Sequence, residues 1–156
     1  MKIKLLIAFC LPLAAACAEK PDEAPAPAAE AAQQPVALSR SASSEDARVF
    51  FISPADGDTV TNPIKVVFGT DGMTVVPAGT DTPHSGHHHL LIDTELPELG
   101  LPIPKDEHHM HFGDGSTKTE ITLEPGEHTL QLLLGDHLHI PHDPPLCSAK
   151  ITVTVK

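Results

Sequence analysis

From Ala47 onward short apolar runs alternate with turn residues, and no stretch repeats its apolar positions at the helical period. The runs Arg48–Ser53, Ile64–Thr70, Met73–Val76, His87–Asp93, His109–Phe112, Lys118–Leu123, His128–Leu134 and Ala149–Val155 read as strands. Asp71-Gly72, between the second and third, is a hairpin signal. Strand alternation puts Ile151, Val153 and Val155 on one face, and His128, Leu130, Leu132 and Leu134 on another. His88 shares a face with Leu90 and Ile92. About seven or eight strands without an intervening helix predict an all-β, immunoglobulin-like β-sandwich, with a small barrel as the alternative. The chain has no Trp or Tyr, so the predicted core is aliphatic, helped by Phe50, Phe51, Phe68 and Phe112.

The residues before Ala47 follow other rules. Lys2 and Lys4 precede an apolar run, Ile3 to Leu13, too short for the roughly 20 residues of a membrane span. Residues 1–16 therefore read as a signal peptide. Their end, Ala14-Ala15-Ala16-Cys17, resembles a lipobox, which makes Cys17 the expected lipidation site; cleavage after Ala18 is the alternative. Ala18 is not the aspartate that favours inner-membrane retention, so the expected place is the periplasm, at the outer membrane. Residues 17–46, rich in Ala, Pro, Glu, Gln and Ser, read as a disordered tether that carries the domain 47–156. Cys147 is then the domain's single cysteine and is expected to behave as a small, buried apolar residue.

Charge narrows the partners. With 10 Lys and Arg against 21 Asp and Glu, the formal charge is −11, and no basic patch offers a nucleic-acid surface. All 11 histidines lie between His84 and His142. Residues two apart in a strand point the same way, so His87 with His89, His109 with His111, and His137 with His139 can each converge on one ion. Together with His142 these seven form the expected metal site; Leu138 and Ile140 are expected to face inward if the third pair faces out. His128, at the start of an apolar face, is expected to be structural, and His84 and His88 fit either role. Alternation turns Met110 away from its histidine neighbours and toward the core. Asp93, Asp106, Glu107, Asp136 and Asp143 are available to ligate, to orient imidazoles or simply to be solvated. Copper or zinc is the expected ion, with copper ranked first by its affinity for imidazole.

HHHLLID, HHMHFGDGSTKTEITLEPGEHTLQLLLGDH, HIPHDPP and the terminal ITVTV resemble the bacterial family known as domain of unknown function 4399. FISPADGDTV fits the same pattern. The resemblance implies a compact secreted domain and no particular activity. Its motifs coincide with His88, His89, His109, His111, His128, His137, His139 and His142.

The expected function is a metal-binding module of the envelope: a copper or zinc chaperone, buffer or sensor. A metalloenzyme (hydrolase or copper oxidoreductase) is one alternative, although the chain holds neither HExxH nor a GxSxG elbow. A pH-sensitive protein-interaction domain is the other. Apart from the ion and the anchored membrane, no partner is implied, and the protein is not expected to be an enzyme.

Overall fold

The structure is a computed structural model that describes residues 39–156. The predicted signal peptide, Cys17 and the tether up to residue 38 lie outside the described residues. Nine strands follow in order: β1 (Arg48–Ser53), β2 (Thr59–Val60), β3 (Ile64–Asp71), β4 (Thr74–Val75), β5 (Ser85–Ile92), β6 (His109–His111), β7 (Lys118–Ile121), β8 (Gly126–Gly135) and β9 (Ile151–Val155). They form two sheets, β1-β3-β7 and β2-β9-β8-β5-β4, with β6 pairing β5. The domain is an all-β sandwich.

The core lies between the sheets, and the predicted faces supply it. Leu130, Leu132 and Leu134 of β8 join Val153, Val155 and Ile151 of β9, Leu90 and Ile92 of β5, and Val66 and Phe68 of β3. Each strand sends every second residue inward, as its period requires. His88 takes its turn in this series: it is fully buried, with its ring 4.6 Å from that of Phe68. Met110 also packs against the core. His128 is structural, its Nδ1 2.6 Å from Asp93 Oδ2 and its Nε2 2.9 Å from the Glu124 carbonyl.

One local expectation fails, and one strand was not foreseen. Asp71-Gly72 does not close a hairpin, because β4 pairs in parallel with β5 of the other sheet. Met73 is buried in the core there, so the turn carries the chain from one sheet to the other. The short β2 carried no readable signal; it exists through parallel pairing with β9, Thr59 opposite Thr154.

β5 is buried along its whole length, on both faces. One face meets the core. The other carries His87, His89 and Leu91 and lies under two connections, the proline-rich β5–β6 loop and the β8–β9 loop. Leu91, Leu133 and Ile103 make a small second core there, with Cys147 packed against it. The half-buried Cys147 thus serves as a small apolar side chain. These covering loops position the site.

Candidate metal centre

The site begins with strand register. His89 stands directly opposite His111 of β6 on one side and Leu133 of β8 on the other, while His87 stands opposite Gly135. Alternation places His87 and His89 on the same face, and their Nε2 atoms lie 3.2 Å apart. One nitrogen each from His87, His89 and His111 falls within 4.8 Å of the other two.

A fourth imidazole comes from the β8–β9 loop. The His139 ring centroid is 4.8 Å from those of His87 and His111 and 6.1 Å from that of His89. The other three centroid distances are 4.9, 4.9 and 5.0 Å. Four rings on a tetrahedral ion, with metal–nitrogen bonds of about 2.0–2.1 Å, would place neighbouring nitrogens about 3.3 Å apart and ring centroids about 5 Å apart. A square-planar ion would instead require two long trans pairs. Five similar separations and one longer pair stand nearer the tetrahedron.

His139 arrives by a route that alternation does not describe. Residues 136–142 form a turn and not a strand, so the predicted inward pair of Leu138 and Ile140 is not found. Leu138 is 49% exposed and Ile140 is fully buried. Asp136 causes this: its Oδ1 accepts hydrogen bonds from the amides of Leu138 and Ile140, at 2.9 and 3.0 Å. The His139 amide donates to the Asp136 carbonyl, and its own carbonyl accepts from Ile103 of the other loop. His139 sits at φ 66°, the left-handed region that a non-glycine residue seldom occupies. That bend directs its ring toward the other three.

Small residues leave the room. A Cβ at Gly135 would lie 3.0 Å from His89 Nε2, and one at Gly113 would lie 2.3 Å from His111 Cε1. Gly113→Ala should therefore displace the His111 ring and not the backbone. We expect it to change unfolding free energy by less than about 1 kcal/mol. Metal affinity should fall by about 10–100-fold, as for lost orienting contacts. Paired urea and metal titrations would show whether the two effects separate.

The remaining predicted ligands lie elsewhere. His109 shares the face of His111, but its Nδ1 is held 2.7 Å from Asp106 Oδ1. His142 is buried with Nε2 3.0 Å from the Ser85 carbonyl and Nδ1 3.3 Å from that of Leu134. His137 lies 3.6 Å from Asp81 and lines, with His84, a recess of about 260 Å³. None of the three joins the four-ring group.

The electrostatics follow from burial. Desolvation, followed by the neighbouring His139 and His111, lowers the His87 pKa to about 4. Desolvation and the adjacent His87 lower that of His89 to about 2. His111 is lowered as well, first by burial, then by His139 and by the Lys105 ammonium. These rings are held neutral, with lone pairs free for a cation. Buried nitrogens without a hydrogen-bond partner include His87 Nδ1, His89 Nδ1 and His111 Nε2. Each unsatisfied buried group costs about 1–3 kcal/mol, so a cluster of them calls for an ion or water.

Fold and site together define a small two-sheet β domain with neutral imidazoles gathered beneath its covering loops. The chain belongs to the family described as domain of unknown function (DUF4399), which matches residues 66–156. All four clustered histidines fall within that span, whereas β1 and the residues before it do not. No curated protein and no solved structure matches the chain significantly.

Proposed function

We propose that this domain is a metal-binding module of the bacterial envelope, with His87, His89, His111 and His139 as the ligands. The signal-peptide pattern of residues 1–16 and the lipobox-like Cys17 support export and anchoring. The observation that carries the metal reading is the convergence of nitrogens from His87, His89 and His111, three rings that each hold a buried, partnerless nitrogen, with the His139 ring beside them.

The near-tetrahedral spread moves zinc ahead of copper(II), whose preferred geometry with nitrogen ligands is tetragonal. Four protein ligands leave no vacant coordination position, which suits holding a metal and not turning over a substrate. Carrier, buffer and sensor roles all need this. The acidic surface, formal charge −11, would concentrate cations near the site.

The catalytic alternative has one observation on its side. His109, oriented by Asp106 and two residues from His111, resembles a proton-transfer pair. It requires His139 to leave the metal and open a position.

Competition titration of the purified mature chain with a chromophoric chelator tests the proposal. One zinc per chain, bound more tightly than copper(II) relative to simple imidazole complexes, is the expected result. Weak, multiple and unselective binding would overturn it.

A further inference from the structure

We propose that Arg40 and Ser41 form a strap that holds His139 in position, so that docking of the Ser39–Ser43 segment governs how tightly the centre retains its metal. The inference rests on the metal-binding reading above and adds a control element outside the ligand set.

The strap lies about 100 residues before the loop it grips, in a segment whose composition announced a tether. Arg40 Nε donates to the Pro141 carbonyl at 2.9 Å, and Arg40 Nη2 donates to the His142 carbonyl. Arg40 Nη1 reaches Asp143 Oδ1 at 3.2 Å. The backbone adds a short parallel bridge between Ala42 and Asp143. Its bonds run from the Asp143 amide to the Ser41 carbonyl and from the Ser43 amide to the Asp143 carbonyl.

The connection to the metal centre runs through Asp136. Ser41 Oγ donates to Asp136 Oδ2 at 2.7 Å, while the other carboxylate oxygen caps the amides of Leu138 and Ile140. Ser41 therefore fixes the group that shapes the His139 turn. Arg40 clamps the chain immediately after that turn. A left-handed non-glycine residue persists only where its surroundings over-determine the bend. His139 is such a residue, and the strap is one of the surroundings that hold it.

His87, His89 and His111 stand on paired strands and need no such help. Strap release would loosen one ligand of four and leave a three-imidazole site with an open position. By linkage, metal bound at His139 must favour strap docking by the same factor. Arg40, Ser41 and Asp136 are positioning residues, because none contributes a nitrogen to the cluster.

The test uses the full mature chain with zinc and with cobalt(II), whose visible bands lose intensity when four-coordinate tetrahedral geometry is lost. Ser41→Ala and Arg40→Ala should each weaken zinc binding by about 10–100-fold and lower the cobalt band intensity. Ser41→Thr, which keeps the hydroxyl, should restore both. Zinc should also slow amide exchange at Ser43 and Asp143 in the unaltered chain. Unchanged affinity and spectrum in both alanine variants, with tight binding by the unaltered chain, would overturn the strap and leave the metal reading intact. Weaker binding with an unchanged cobalt spectrum would also overturn it, marking a stability effect alone. Failure of the unaltered chain to bind either ion would overturn the metal reading, and the strap with it.

Discussion

Replacing His89 with alanine should abolish stoichiometric zinc binding and remove the stabilisation that zinc confers on the domain. His89 is buried at the centre of β5 beside the other rings, with its Nε2 3.2 Å from that of His87. Its loss should weaken affinity by more than about 100-fold, beyond the usual cost of an outer-shell partner. A metal present at about 1,000 times its dissociation constant stabilises the native state by about 4 kcal/mol. Thermal melts of the unaltered chain should therefore shift upward with zinc, and those of His89→Ala should not. His137→Ala, outside the four-ring group, should behave as the unaltered chain. An equal zinc response in His89→Ala would remove the cluster from consideration.

Acid should destabilise the metal-free domain well before its carboxylates are protonated. Burial in the core against Phe68 lowers the His88 pKa from 6.5 to about 4. Between those values the unfolded chain binds a proton that the native chain refuses, so stability rises with pH. The contribution is intact above pH 6.5, shrinks as pH falls below it, and is fully lost once pH passes below about 4. For His88 alone the loss amounts to about 3 kcal/mol, taking about 1.36 kcal/mol for each pKa unit. His87 and His89, lowered to about 4 and about 2, act in the same direction. His128 opposes them: its bond to Asp93 raises its pKa, giving stability that is present below 6.5 and lost as pH rises through the raised value. One partly exposed group does not outweigh three buried ones.

Urea midpoints of chelator-treated protein should fall steeply between pH 7 and pH 5. His88→Leu, which removes two partnerless ring nitrogens from the core, should flatten that slope. A midpoint constant over this range would show that the imidazoles are solvated and not buried.

Much of this arrangement could be read along the chain. The period of two in β8 and the strict alternation in β9 announced the inner faces, and the same period put His87 and His89 together with His88 turned away. The Asp71-Gly72 turn was legible as a turn, yet the sheet that β4 would join was not. That choice depends on Met73 finding a place in the core. His137-Leu138-His139 showed the spacing of a strand pair, but a single buried carboxylate four residues before Ile140 bends the segment and separates the two histidines.

Composition also gave no sign of the contacts that residues 40–43 make with the domain. Ser39 to Asp46 resembled the preceding tether, while Arg40 already grips the carbonyls of Pro141 and His142. Contacts across about 100 residues leave no local periodicity. Selection of four histidines from eleven likewise follows from register and loop closure, which spacing alone does not encode.

X-ray absorption at the zinc edge of the zinc-loaded protein tests the central claim most directly. Four nitrogen neighbours at about 2.0 Å, with the multiple-scattering signature of imidazole, are the predicted result. The signature should drop to three imidazoles in His139→Ala. A first shell dominated by oxygen, or one left unchanged by His139→Ala, would contradict the four-histidine centre.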